Sequence, residues 1–132
     1  MIGLDTNILV RYLVEDDVKQ AALAEQLIDS LNAHERRGFI SLVVLVELVW
    51  VLESRFDFDR ADVRSIVQEL LDSKDLLIES SDLVRYALRA CISKQVDFAD
   101  CLIERIAHHY GAVMTYTFDR GASKHAGMTL LK

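Results

Sequence analysis

Apolar and polar positions along the chain change period several times, and each change marks the start of a new element. Residues 1–4 are apolar and few, which predicts a short buried strand running directly into Asp5. Residues 7–13 leave room for a brief helix, and Asp16 with Asp17 interrupts it. Asp17 and Gln20 make a capping-box-like start, after which Ala21, Ala24, Leu27, Ile28 and Leu31 hold helical spacing; this helix is expected to end near Arg37, before Gly38. A second strand is predicted over residues 39–41 and a helix over 42–56. Asp59 with Asp62 opens a further helix carrying Val63, Ile66, Val67, Leu70 and Leu71. A third strand at 76–79 leads to a helix at 81–94 and another at 97–110, which Gly111 closes in the position of a left-handed cap. Residues 112–117 form the fourth strand. A turn or short helix at 120–125 precedes a fifth at 128–131.

Strands too apolar to have a wet face, alternating with helices, predict an α/β domain: a central parallel sheet of four or five short strands with helices on both faces. The length of 132 residues fits one domain spanning residues 1–132, with no linker, repeat or low-complexity segment. A hydrophobic fraction of 52% argues against a disordered chain. No apolar run approaches the roughly 20 residues of a membrane-spanning helix, and no charged leader with a cleavage site is visible, so a soluble cytoplasmic protein is expected. Cys91 and Cys101 fall in apolar helical patterns and read as reduced core thiols. The net charge of −6 argues against a broad basic face for nucleic acid. Arg36 with Arg37, and Arg120, Lys124 and His125, stand at element ends and read as surface charge.

Four acids stand out against this background. In a parallel sheet the ligand site lies beyond the carboxyl ends of the strands, where strand order reverses. Asp5 ends the first strand, and Asp119 follows the fourth in TYTFDRG. If those strands are neighbours, the two carboxylates meet at one edge; taken singly, Asp5 is an ordinary helix cap and Asp119 a turn residue. Glu47 sits in LVVLVELVWVL with five apolar residues on each side. Either it is buried, at a cost that demands a cation or metal, or it escapes to solvent at a helix edge. Asp97 and Asp100 stand three apart at a helix start, a normal N-terminal signature. Yet Asp100 borders the expected buried stripe of Ala99, Leu102, Ile103, Ile106, Ala107 and Tyr110. Together the four segments suggest one carboxylate cluster, which repels itself unless something positive sits in it. An oxygen-only set favours Mg²⁺ or Mn²⁺, and no Cys/His spacing supports zinc. His108 and His109 are adjacent, so they face different ways on a helix and read as surface residues.

The stretches LDTNILVRYLVEDD, SLVVLVELVWVLESRF and DFADCLIERIAHHYGAVMTYTFDR, in this order and spacing, resemble the PIN-domain family, specifically the VapC-type toxins of bacterial toxin–antitoxin pairs. The resemblance covers essentially the whole chain. It implies a metal-dependent endoribonuclease with Asp5, Glu47, Asp100 and Asp119 as catalytic and metal-holding acids. Thr6, Asn7 and Thr117 match polar positions that hold the cluster in place, and Asp97 is either a ligand through water or only the helix cap. The implied reaction is in-line attack by metal-activated water on an RNA phosphodiester, leaving a 5′-phosphate and a 3′-hydroxyl. Substrates implied are structured loops of transfer or ribosomal RNA, and the implied partners are a second copy of the chain and a small antitoxin whose tail covers the active site. Two rivals remain at this point. An aspartyl-phosphate phosphohydrolase would need a second Asp two residues after Asp5, where the chain has Asn7. A non-catalytic PIN-like module would keep the acids to dock a basic partner.

Overall fold

The Asp5 carboxylate turns the first strand into the first helix: its Oδ1 accepts the Thr6 backbone N–H at 2.7 Å and caps α1 (Thr6–Val14), directly after β1 (Ile2–Gly3). The computed structural model describes residues 1–94 and 96–132. Glu15 adopts a left-handed conformation and ends α1, and Asp17 Oδ1 accepts the Gln20 N–H at 3.0 Å to start α2 (Val18–Ala33). Only half of the expected capping box forms. The Gln20 side chain accepts from Arg11 Nε at 2.6 Å instead of reaching back to the Asp17 backbone.

The helix α2 ends at Ala33, four residues before Arg37. Glu35 takes φ 53°, its N–H reaches Asn32 O, and Arg36 N–H reaches Leu31 O at 2.8 Å. That pair of bonds is a Schellman closure built without glycine, so the sequence carries no glycine to announce it. Beyond it come β2 (Gly38–Ile40), α3 (Leu42–Arg55), α4 (Arg60–Asp72) and β3 (Leu76–Ile78). Next follow α5 (Ser81–Lys94), α6 (Phe98–His109), β4 (Tyr116–Thr117), α7 (Arg120–His125) and β5 (Thr129–Leu130).

The chain divides into two compact units. One comprises Met1–Asp59 with Glu69–Glu79, the other Arg60–Gln68 with Ser80–Lys132. In the first unit the strands pair in parallel in the order β1-β2-β3, with Ile2 opposite Gly38 and Gly38 opposite Leu76. Leu4, Leu31 and Leu76 crowd Gly38 so closely that a Cβ there would stand 2.6 Å from Leu4 Cδ1. Glycine therefore lets the core close over the middle strand. Helix α3 buries Leu45, Leu48, Val49 and Leu52, the i, i+3, i+4, i+7 stripe of a one-sided helix, and it packs on α1. Its N-terminus is held twice, by Ser41 Oγ accepting from Val44 N–H and by Glu79 Oε1 accepting from Leu42 N–H at 2.9 Å.

In the second unit α5 packs on α6 through Val84, Ala87, Leu88 and Cys91 on one side and Phe98, Cys101 and Leu102 on the other. The face of α6 that is buried is thus not the one the apolar spacing predicted. Ile103 is exposed and Tyr110 is 83% exposed, because the contact with α5 runs along the Phe98–Cys101–Leu102 edge. Cys91 and Cys101 are both buried and outside any disulfide, as expected. Gly111 takes φ +94°, and Ala112 N–H reaches Ala107 O, which gives the predicted glycine closure of α6. The fourth strand is shorter than expected, and β4 pairs in parallel with β5. All five predicted strands are present and every pairing is parallel, hydrogen-bonded as groups of three and two. Among the described residues no helix is long and apolar enough to cross a membrane.

Candidate functional site

In the first unit, Asp5 and Glu47 line one open cavity of about 580 Å³. Asp5 is delivered by the end of β1 and Glu47 by the second turn of α3; Thr6 and Asn7 contribute from the start of α1. Glu47 is exposed, which resolves the alternative left open by the sequence: the apolar helix does not bury its carboxylate. The reason is rotational. The stripe of Leu45, Leu48, Val49 and Leu52 leaves Glu47 off the packed face, together with Val43, Val46 and Trp50, which are exposed although apolar. Glu47 makes no hydrogen bond or ion pair among the described residues, and Asp5 commits only Oδ1, to the helix cap.

Thr6 is only 6% exposed, and its Oγ1 is buried without a hydrogen-bond partner. A hydroxyl left in that state costs stability, and a catalytic role or a bound water or ion is among the reasons a native protein keeps one. Arg11, Trp50, Arg55 and Phe56 complete the cavity wall. Arg11 is tied down by Gln20 and by both oxygens of Asp16, at 3.0 and 3.1 Å, whereas Arg55 makes no hydrogen bond or ion pair among the described residues. The acid-centred reading of the sequence passed over these residues. Helical spacing from Glu47 would have found two of them, since Trp50 and Arg55 stand three and eight positions further along α3.

In the second unit, Asp97 caps α6 through Oδ1, which accepts the Ala99 N–H at 2.9 Å. Asp119 caps α7 in the same way, accepting the Ala122 N–H at 2.9 Å, and Thr117 Oγ1 accepts the Asp119 N–H at 3.0 Å. Asp100 is part-buried in the first turn of α6 and has no capping duty. Its pKa is raised above the usual carboxylate range, first by burial and then by the negative charges of Asp97 and Asp119, with Arg60 opposing. Such a site is short of positive charge.

Asp5 and Glu47 in the first unit, and Asp97, Asp100 and Asp119 in the second, offer only carboxylate oxygens, hard groups of the kind suited to Mg²⁺ or Mn²⁺. Among the described residues no three Asp, Glu, His or Cys side chains form a group that could by itself hold a metal ion. That is compatible with Mg²⁺, which keeps several waters and is bound through one or two carboxylates plus substrate phosphates, in preference to a full protein cage. On donor chemistry and on the excess of negative charge around Asp100, the residues fit a hard divalent cation.

A relative from Aquifex aeolicus (strain VF5), a VapC ribonuclease, is 27% identical over 121 residues, covering 92% of this chain and 89% of the relative. The model of the PIN domain matches residues 2–128, a span that takes in every acid described above. By that match over nearly its whole length, the chain belongs to the PIN domain family.

Proposed function

We propose that this protein is a metal-dependent endoribonuclease of the VapC type, with Asp5, Glu47, Asp100 and Asp119 as its catalytic carboxylates and Mg²⁺ or Mn²⁺ as cofactor. The observation that carries this reading is the cavity in which Asp5 and Glu47 stand beside two guanidiniums, open to a ligand of nucleotide size. Similarity to a VapC ribonuclease supports the choice of RNA as substrate.

Bound by these acids, a divalent ion would supply the Lewis acidity that activates water and offsets charge on the phosphate. The chain's own residues do the rest. The α1 cap fixes the Asp5 carboxylate through one oxygen and leaves the other free to serve the reaction. Glu47, uncommitted and exposed, is suited to orient or accept a proton from the attacking water. Asp100, whose surroundings oppose its ionisation, gains most from a bound cation. Thr6, Asn7 and Thr117 keep supporting roles, and Asp97 that of a cap. Arg55, which makes no ion pair among the described residues, offers the polyanion a positive charge on a protein whose net charge is −6.

In this reading the protein is the toxin of a toxin–antitoxin pair. It acts in the cytoplasm as a homodimer on structured RNA such as transfer or ribosomal RNA loops, and a cognate antitoxin restrains it. The test is incubation of the purified protein with total RNA and Mg²⁺ or Mn²⁺, beside an EDTA control and Asp5→Asn, with the fragment ends mapped. Discrete cuts bearing 5′-phosphates, lost in both controls, are expected. Cuts that survive EDTA and Asp5→Asn would overturn the mechanism, and tight binding of a basic protein with no cleavage of any RNA would leave only a docking module.

A further inference from the structure

Helix α3 presents more than a carboxylate to the cavity. Glu47, Trp50, Val51 and Arg55 lie at i, i+3, i+4 and i+8, away from the stripe that α3 buries, and all four line the same space as Asp5. Trp50 is 61% exposed, an unusual outlay of apolar surface for an indole that packing on α1 does not require. One helical turn beyond Val51, Arg55 has no hydrogen-bond or ion-pair partner among the described residues, and Phe56 lines the same cavity. An exposed aromatic face with a free guanidinium beside it, next to carboxylates proposed for phosphodiester cleavage, has the composition of a stacking platform for a single strand.

We propose that the Trp50–Arg55 end of the cavity is a subsite for one unpaired nucleotide, its base stacked on the Trp50 indole and its phosphate held by Arg55. The inference rests on the ribonuclease reading and adds to it: the substrate must offer an unstacked base beside the bond that is cut, so paired RNA is excluded at this position. Arg11 is already paired with Asp16 and held by Gln20, so its charge is largely neutralised, while Arg55 is free to close on the phosphate. A protein partner is the competing occupant, since Val43 and Val46 are also exposed on α3. The cavity favours RNA because charged groups surround Trp50 there, and an apolar protein face would leave Arg55 and Glu47 desolvated and unpaired.

Trp50 is the sole tryptophan of the chain, so emission excited selectively at the indole reports on this position alone. The experiment titrates the Asp5→Asn protein, in EDTA, with a mixed-sequence single-stranded oligoribonucleotide, with the same strand annealed to its complement, and with heparin as a polyanion lacking bases. Saturable quenching by the single strand, with little by duplex and none by heparin, is expected. Trp50→Leu should weaken binding, read by anisotropy of a labelled strand, roughly 5- to 150-fold, with Trp50→Phe retaining most of it. Arg55→Ala should lower the slope of log affinity against log salt by about 0.7. Circular dichroism of each variant confirms folding, which exposed positions tolerate. If the wild-type protein cuts RNA but the single strand leaves Trp50 emission unchanged, the subsite is wrong and the nuclease reading stands. Stacking without metal-dependent cleavage by the wild type leaves the subsite standing and removes the nuclease. Emission that follows protein concentration and ignores RNA overturns the subsite in favour of a protein contact on α3.

Discussion

Replacing Thr6 by Val should make the protein more stable and less active. The hydroxyl at this position is buried, lies beside Asp5, and has no hydrogen-bond partner. Removing an unsatisfied buried hydroxyl returns its desolvation penalty, about 1–3 kcal/mol. Little opposes the gain. Val and Thr have the same shape and nearly equal helix propensity, and the cap bond from the Thr6 N–H to Asp5 is a backbone bond that Val keeps. For a chain of 132 residues, 1 kcal/mol corresponds to a rise in Tm of roughly 3–5 °C. Calorimetry in EDTA measures the folded protein without help from a metal. RNA cleavage by Thr6→Val should fall, while Thr6→Ser keeps the hydroxyl and most of the rate. A Tm lowered by several degrees in Thr6→Val would show instead that the hydroxyl is satisfied in the folded protein.

Four further outcomes follow from individual contacts. Asp100 has a raised folded pKa, so stability is lost as pH rises from the unfolded value near 3.8 through the folded one; Asp100→Asn in EDTA should exceed wild type in urea midpoint at pH 7, with the gap closing toward pH 4. Glu79→Ala removes the acceptor for Leu42 N–H and should cost about 0.5–1 kcal/mol in urea unfolding, with Glu79→Gln costing less. Glu35→Gly relieves a left-handed residue at the end of α2 and should gain about 0.5 kcal/mol, the strain removed exceeding the extra chain entropy. Asp5→Asn should unfold within about 0.5 kcal/mol of wild type while abolishing cleavage, whereas Asp5→Ala should lose roughly 1 kcal/mol as well, both read by urea titration beside the RNA assay.

The order and type of the elements were legible because apolar spacing survives in nearly every segment, and glycine marked the end of α6. The end of α2 was not, although the same two hydrogen bonds close it. Glu35 does there what Gly111 does in α6, and composition cannot announce a glutamate at φ 53°. Burial was harder to read than periodicity. Glu47 lies in an apolar run yet reaches solvent, and Tyr110 fits the apolar stripe of α6 yet is exposed, because the partner helix selects the face and spacing within one helix does not reveal it. The acids themselves were legible as candidates. The cationic and aromatic wall around Asp5 and Glu47 was not, since Arg11, Trp50 and Arg55 are unremarkable until α1 and α3 are set side by side.

Cap and ligand looked like competing explanations for Asp5 and Asp97, and Asp119, expected in a turn, also proves to be a cap; in all three one oxygen stays uncommitted. Each of the three commits Oδ1 to a backbone N–H at the start of a helix, at 2.7, 2.9 and 2.9 Å. A carboxylate has two oxygens and about four lone-pair sites, so one cap bond orients the group without exhausting it. The cap also fixes the side-chain rotamer, which lowers the cost of presenting the second oxygen to a cation. Glu47 and Asp100 have no such tether: one is exposed on the face of α3, the other part-buried between like charges. The division predicts different sensitivities. Asparagine keeps a cap and removes the charge, so at Asp5 and Asp119 it isolates chemistry from folding. At Asp100 the same change relieves repulsion, and a loss of activity there accompanied by a gain in stability would mark a carboxylate held against its electrostatic preference for the sake of what it binds.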